Sequence, residues 1–355
     1  MTPVFPTFAR RPLFFSAILA AFCLFYACSG DSKKLSEAAQ AVQQDPEMMQ
    51  LNQLLESNPN NDTLLYRRAL LYYRLDGYDE ALLDVGKAIQ IDSSKAPYYH
   101  LMADVLLDYG RPNDSKRAIE VLKTATRKFP NRLSTLLKLS EFQLIVRKHG
   151  DALETLNQVL LRDPQNAEAY FMSGRVALDK ADTLNAIASM KKSVQLNADN
   201  VDAWIFLGRI YSTKNNPQAI QYFDNALRVD STSLEAREFK AAFYKRQGQF
   251  DQAFSIYRDI ITRNPDYANA YFDMGVIYLE LDSLDKAYAH FDLATKTDVL
   301  FVDAFYYRGL SAELKGNTVA ALADYKQAYK MNPTYEEAKT AKERLEKAGV
   351  KDTPN

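Results

Sequence analysis

The chain has 355 residues, of which 47% are hydrophobic and 25% are charged, and its formal net charge is −1. This composition is typical of a soluble protein with ample apolar material for a core. The balanced charge argues against nucleic-acid binding, which usually shows as a basic patch or a high pI. The only cysteines are Cys23 and Cys28, so disulfides and thiolate metal sites are excluded after Cys28.

The first segment of the chain resembles a targeting sequence in the order of its basic and apolar stretches. Arg10 and Arg11 are its only charges before Asp31, and residues 13–27 are apolar except for Ser16 and the Tyr26 hydroxyl. A basic stretch followed by an apolar stretch of ~7–15 residues is typical of a secretory signal peptide. The apolar run is at the short end for a membrane span, which needs ~20 residues.

The end of this apolar run resembles a bacterial lipobox. Ala27 and Cys28 match its small residue and its cysteine, which implies cleavage before Cys28 and lipid attachment to the Cys28 thiol. Phe25 and Tyr26 stand where the lipobox usually has Leu and a small residue. An uncleaved membrane anchor and an ordinary cleaved signal peptide therefore remain alternatives.

The rest of the chain is repetitive. Each unit reads as an amphipathic helix, a polar turn and a second amphipathic helix, and five of the seven spacings between equivalent small residues are 34. These small residues are Ala69, Ala103, Ser140, Gly174, Gly208, Ala241, Gly275 and Gly309. Such hairpins bury their apolar faces only by stacking on their neighbours.

The repeat resembles the tetratricopeptide repeat, whose pattern is W-x2-L-G-x2-Y, then A-x3-F, then P. The fifth repeat carries Trp204, Leu207, Gly208 and Tyr211 on its first helix and Ala219 and Phe223 on its second. The resemblance implies an all-α, right-handed solenoid of eight helix hairpins with a C-terminal capping helix.

This register divides the chain into four parts. We expect a lipoprotein signal peptide at 1–27, a tether and N-terminal capping helix at 28–61, eight repeats at 62–335, and a C-terminal capping helix and tail at 336–355. The predicted repeats are 62–95, 96–132, 133–166, 167–200, 201–233, 234–267, 268–301 and 302–335.

The sequence offers no catalytic pattern. The three histidines, His100, His149 and His290, occupy different repeat positions, and no metal-binding His spacing, nucleophile motif or phosphate loop occurs. The repeats also leave no room for a catalytic domain. We therefore expect a non-enzymatic protein without a metal or other cofactor.

The resemblance places the candidate site in the concave groove. In the family, first helices line this groove, and side chains at the second, fifth, sixth, ninth and twelfth repeat positions bind protein or peptide segments. The groove residues inferred in this way are Tyr66, His100, Phe171, Arg175, Phe206, Arg209, Phe239, Phe272, Tyr306 and Tyr307. So many apolar inward positions suggest an apolar helix or extended segment as the ligand.

Two hypotheses stand for Arg175 and Arg209, which occupy the ninth position of consecutive repeats. They could grip a carboxylate of a partner. Alternatively, they could form internal pairs, Arg175 with Glu141 and Arg209 with Asp202. The carboxylate clamp of chaperone-binding family members is absent, and Tyr66 replaces its first Lys.

The predicted function is that of a bacterial envelope lipoprotein, attached to the membrane by its N-terminal lipid, that scaffolds other proteins. Ser29 after the cysteine favours the outer membrane by the sorting rule for Gram-negative lipoproteins. The alternative is a self-associating regulatory protein whose groove is filled by its own chain or by another copy.

Overall fold

The computed structural model describes residues 45–351. Within this range the chain forms eighteen helices and no strand. The predicted all-α solenoid of eight hairpins with a C-terminal capping helix is confirmed. The predicted signal peptide and Cys28 lie outside the described residues.

The solenoid begins with helix α1, Pro46–Ser57, and ends with helix α18, Glu336–Lys347. The first helices of the repeats are α2 Asp62–Arg74, α4 Ala96–Tyr109, α6 Leu133–Ile145, α8 Ala167–Asp179, α10 Val201–Thr213, α12 Leu234–Arg246, α14 Ala268–Glu280 and α16 Val302–Leu314. The second helices are α3 Tyr78–Ile91, α5 Asp114–Lys128, α7 His149–Arg162, α9 Thr183–Leu196, α11 Gln218–Val229, α13 Phe250–Arg263, α15 Leu284–Thr297 and α17 Thr318–Met331.

The helices form two layers. Every helix packs against the next one in the chain, and first helices also contact the first helices of neighbouring repeats, at α2–α4, α4–α6, α6–α8, α10–α12 and α12–α14. Within the described range, no two second helices approach each other to the same extent. In a curved stack, equivalent helices lie closer together on the inner side than on the outer side. The first helices therefore form the concave wall.

Small residues set the distance between the two helices of a hairpin. A Cβ added to Gly208 would lie 2.6 Å from Cδ1 of Phe223, a ring with no solvent exposure. Since carbon atoms cannot approach so closely, only glycine allows α10 and α11 to pack with this ring between them. Equivalent contacts join Gly174 to Met190, Gly275 to Phe291 and Gly309 to Tyr325.

Half-buried arginines connect neighbouring repeats. The Arg308 guanidinium donates to Asp324 of its own repeat at 2.6 Å and to Asp292 of the preceding repeat at 2.7 Å. At the other end, Arg68 donates to Asp84 at 2.6 Å and to Asn52 of α1 at 2.9 Å. These charge-assisted bonds fix the register of adjacent hairpins.

The C-terminal helix covers the last hairpin. Ala341 and Leu345 of α18 are buried against Tyr325, and Arg344 donates to Glu313 at 2.8 Å. The outer face of α18 is rich in Lys and Glu. A polar outer face is what the end of a stacked array requires.

Candidate partner-binding groove

All ten groove residues predicted from the sequence lie on first helices, in the inner layer. Their positions along the solenoid divide them into three groups, and side-chain contacts join the members of the second and third groups. The N-terminal group is Tyr66 and His100, the central group is Phe171, Arg175, Phe206, Arg209 and Phe239, and the C-terminal group is Phe272, Tyr306 and Tyr307.

The N-terminal group is held by its neighbours. The Tyr66 ring lies 4.7 Å from that of Tyr98, centroid to centroid. His100 Nε2 lies 2.9 Å from the Thr135 hydroxyl oxygen. Burial, together with the nearby Lys138 ammonium, lowers the pKa of His100 to about 4. The imidazole is therefore neutral near pH 7.

The central group contains a row of phenylalanines, Phe171, Phe206 and Phe239, which we call the aromatic row. The ring centroids of Phe171 and Phe206 are 6.0 Å apart. Phe206 and Phe239 are half-buried, whereas Phe171 is only 7% exposed. The row is thus an apolar floor, and Phe171 supports it mainly by packing.

Arg175 lies on this floor, and its positive charge lowers the pKa of the neighbouring Glu168 carboxyl in part. Its guanidinium carbon is 5.9 Å from the Phe171 centroid, and its Nη1 is 3.6 Å from the Met172 sulfur. Among the described residues it forms no ion pair, so the internal pair considered with Glu141 is not formed. Both side chains instead line one open cleft of about 240 Å³ between the third and fourth repeats.

Arg209 lies between two rings of the aromatic row. Its guanidinium carbon is 5.5 Å from the Phe206 centroid and 4.8 Å from that of Phe239, within cation–π range. Its Nη1 is 4.0 Å from a Glu235 carboxylate oxygen in the next repeat, a partner not foreseen from the sequence, which favoured Asp202. Burial lowers the pKa of Arg209, and Glu235 offsets this only in part.

A row of carboxylates, not singled out from the sequence, runs beside the aromatic row. Glu168, Asp202 and Glu235 are exposed and occupy the second position of three consecutive repeats. Partial desolvation and repulsion from neighbouring carboxylates raise the pKa of Glu168 and of Glu235, whereas Arg175 and Arg209, respectively, lower these pKa values in part. We call these three residues the acidic row. Their spacings of 34 and 33 match the repeat period, which is the signal that could have revealed them.

The C-terminal group belongs to a larger cluster of rings. Phe272 lies 5.5 Å from Tyr307 and 4.9 Å from Phe301, and Tyr306 lies 5.3 Å from Tyr307 and 5.2 Å from Tyr335. Phe301 and Tyr335 directly precede helices, so they lie outside the inward helix positions from which the groove residues were predicted. The Arg344 charge acts on Tyr306, so this cluster combines aromatic surface with a nearby cation.

A polar patch separates the central and C-terminal groups. The Tyr267 hydroxyl donates to Glu238 at 2.5 Å, and Lys245 pairs with Asp273. Burial raises the pKa of Glu238. The patch therefore combines the Lys245–Asp273 ion pair with a carboxylate that accepts from a neutral phenol.

The described residues contain no group of three or more His, Cys, Asp or Glu side chains placed to hold a metal ion. In the same range, no helix combines the length and the apolar character needed to cross a bilayer.

Matches to protein-family models agree with the division of the chain into helix hairpins. One tetratricopeptide repeat model matches residues 244–314, and a second matches residues 50–97, 146–201 and 171–233. Together with the eight stacked hairpins, these matches show that the chain belongs to the tetratricopeptide repeat family.

Curated relatives are distant and varied. Anaphase-promoting complex subunit 3 of Schizosaccharomyces pombe is 22% identical over 67% of this chain and 41% of its own length. A DnaJ homolog subfamily C member 7 homolog from the same yeast is 23% identical over 69% and 57%. The mitochondrial import receptor subunit TOM70 of Homo sapiens is 22% identical over 74% and 45%. The chain thus spans about half the length of these relatives.

Solved structures share the fold. A tetratricopeptide repeat protein from Parabacteroides merdae aligns with a TM-score of 0.52 at 22% identity, over 72% of this chain and 99% of its own. The C-terminal part of a repeat protein from Cytophaga hutchinsonii aligns with a TM-score of 0.54 at 17% identity, over 70% and 99%.

Proposed function

We propose that the protein is a non-enzymatic scaffold of the bacterial cell envelope that binds a segment of a partner protein in its concave groove. The observation that carries this proposal is Arg175, a half-buried cation on an aromatic floor without an ion pair in the described range. A guanidinium that forms no ion pair in the described range can gain a charge-assisted hydrogen bond from an incoming carboxylate. The partner segment supplies that carboxylate.

Two kinds of relatives support a binding role. One is named as a subunit of the anaphase-promoting complex and another as a subunit of a mitochondrial import receptor. Both names describe proteins that work within assemblies. We infer the same general role here, with binding of protein segments and no reaction of its own.

The envelope location is proposed from the N-terminal sequence. Cys28 would carry the lipid, and residues 29–44, which are mostly polar, would separate the solenoid from an outer-membrane surface. Lipoprotein anchoring requires more than one acyl chain, because a single chain binds a membrane only marginally.

The experiment is an affinity pull-down from envelope extract with two matched variants. Arg175→Glu/Arg209→Glu reverses two charges in the groove, and Lys87→Glu/Lys192→Glu reverses two exposed charges on second helices. We expect the groove variant to lose the partner and the control to keep it, with unchanged melting temperatures.

Equal recovery of the partner by both variants would contradict groove binding. A large loss of stability in the groove variant alone would instead assign the arginines a structural role. Recovery of only another copy of this chain, seated in the groove, would replace the scaffold by the self-associating alternative.

A further inference from the structure

The fifth repeat position is uncharged near pH 7 in every repeat except the sixth, where it is Glu238. This position lies on the first helices, which form the concave wall. The other seven side chains at this position are Tyr66, His100, Leu137, Phe171, Ile205, Phe272 and Tyr306, and the imidazole of His100 has a pKa of about 4. Glu238 is therefore a single carboxylate in a row of rings and aliphatic side chains.

Glu238 has one hydrogen bond and no ion pair within the range that the structure describes. The Tyr267 hydroxyl donates to its Oε2 at 2.5 Å. The other carboxylate oxygen, Oε1, accepts no hydrogen bond from a described residue. Because an ionised carboxylate has about four acceptor sites, most of this capacity is unused.

The charges around Glu238 do not cancel. Two carboxylates, Glu238 and Asp273, lie near one ammonium, that of Lys245, so the net charge of these three groups is −1. Burial raises the pKa of Glu238, and repulsion from Asp273 and Glu235 raises it further, while Tyr267 and Lys245 offset this in part. An added cation would therefore stabilise the ionised carboxylate.

A buried phenol next to this patch lacks a hydrogen-bond partner. Tyr257 of α13 has no solvent exposure, and its hydroxyl has no hydrogen-bond partner among the described residues. Burial raises its pKa, and the negative charges of Asp273 and Glu238 raise it further, which places the hydroxyl near both carboxylates. Unpartnered buried hydroxyls are rare, so this independent observation also indicates that the polar contacts of the patch are incomplete.

An aromatic ring occupies the same repeat position on the neighbouring first helix. Phe272 is the fifth residue of the seventh repeat and lies on α14, which contacts α12. Its ring is half-buried and lies 4.9 Å from that of Phe301 and 5.5 Å from that of Tyr307, centroid to centroid. A ring held in this way offers its face to the methylene stem of a long side chain and its π-system to the charge.

We infer that Glu238 receives a basic side chain, lysine or arginine, from the partner segment in the groove. This inference rests on the proposed function and adds the chemistry of one contact. The ammonium or guanidinium group binds the Glu238 carboxylate, and the methylene stem lies along the Phe272 ring.

Other occupants fit the patch less well. A partner carboxylate would meet two carboxylates and one ammonium, and an apolar side chain would remove water from Glu238 without replacing its hydrogen bonds. A metal ion would need several ligands, and in the part of the chain that the structure describes no group of three His, Cys, Asp or Glu side chains is placed to hold one. A basic side chain supplies both the missing positive charge and an apolar stem.

Two small probes test this contact on the full-length protein in detergent. Nα-acetyl-arginine amide carries the guanidinium, and Nα-acetyl-citrulline amide has nearly the same shape without the charge. Glutamate labelled with carbon-13 at the side-chain carboxyl reports which site is occupied, and the Glu238 resonance is identified by its loss in Glu238→Gln. Saturation-transfer NMR gives the dissociation constant of each probe.

The matched control is Glu154→Gln, which removes an exposed carboxylate on the second helix α7. Circular dichroism checks the fold of both variants. The comparison of the two probes on the unaltered protein does not depend on either variant.

We expect the Glu238 carboxyl resonance to shift saturably with the arginine probe. The citrulline probe should bind at least about tenfold more weakly, because it cannot form a charge-assisted hydrogen bond. Glu238→Gln should weaken binding of the arginine probe by at least about tenfold for the same reason, whereas Glu154→Gln should leave it unchanged. In the pull-down from envelope extract, Glu238→Gln should lower recovery of the partner.

Three results would overturn the inference. Equal affinity for the two probes, or an arginine probe that leaves the Glu238 resonance unmoved, would reject a basic side chain at this carboxylate. Undiminished recovery of the partner by Glu238→Gln would also reject it. In each case, loss of the partner by Arg175→Glu/Arg209→Glu would keep the proposed function, whereas equal recovery by that variant and by Lys87→Glu/Lys192→Glu would reject the proposed function as well.

Discussion

Substitution of Gly208 by alanine tests the packing logic of the solenoid. The new Cβ would lie 2.6 Å from Cδ1 of Phe223, which is fully buried and stacks on Phe239 at 6.2 Å. Because the ring has no free space to move into, the substitution must separate α10 from α11 or displace Phe239.

The magnitude follows from two opposing effects. Overpacking of a filled core costs about 1–3 kcal/mol. Replacing glycine by alanine inside a helix returns about 1 kcal/mol. The net destabilisation expected for Gly208→Ala is therefore about 0–2 kcal/mol. Gly208→Leu should cost several kcal/mol because the longer side chain extends the same clash.

The chain supplies its own controls. A Cβ on Gly86 of α3 would meet only the Met102 methyl carbon, at 3.7 Å, so Gly86→Ala should stabilise by about 1 kcal/mol. A Cβ on Gly174 would meet the flexible end of Met190 at 2.8 Å. The stability of Gly174→Ala should therefore lie between those of Gly208→Ala and Gly86→Ala.

Urea unfolding monitored by circular dichroism measures the order of stability of these three variants. A shift in the midpoint at constant slope reports a change in stability. If Gly208→Ala proved as stable as Gly86→Ala, the close packing of α10 on α11 and the repeat register itself would be wrong.

Three further predictions concern the anchor, an ion-pair network and the response to pH. Cys28→Ala should release the protein from membranes in fractionation, and unchanged fractionation would rule out the lipid anchor. Arg308→Ala should lower the free energy of unfolding by about 3–5 kcal/mol because buried Asp324 loses its cation. The double variant Arg308→Met/Asp324→Leu should recover most of this stability. An equal loss of stability in both variants would reject the ion-pair explanation. In the unfolded chain His100 gains a proton below about pH 6.5, whereas in the folded protein its pKa is about 4. The free energy of unfolding should therefore fall as the pH falls from 6.5 to 4. The expected loss is ~1–2 kcal/mol after allowance for solvent access to the imidazole. His100→Gln should flatten this dependence in urea titrations, and an unchanged slope would assign it to other groups.

The repeat period explains why the fold was predictable. Equivalent small residues recur about every 34 positions, and the contacts of Gly174, Gly208, Gly275 and Gly309 with their second helices follow directly from that register. Each hairpin contacts mainly its neighbours, so local pattern and global architecture agree.

The groove was predictable only in part. The repeat register determines which positions face inward. It does not determine which charged side chains form pairs, because the two partners lie on different helices and each adopts its own rotamer. Arg209 approaches Glu235 instead of Asp202, and Phe171 is more buried than its inward position suggested. The acidic row was overlooked although its residues follow the repeat period.

The most direct measurement of the central claim is photo-cross-linking in cells with benzoylphenylalanine at one of two exposed positions. Asp202 lies on α10 at the centre of the groove, and Leu184, which is 79% exposed, lies on the second helix α9. Groove binding predicts a discrete adduct with a partner protein from position 202 and none from position 184. An adduct from position 184 alone would contradict it.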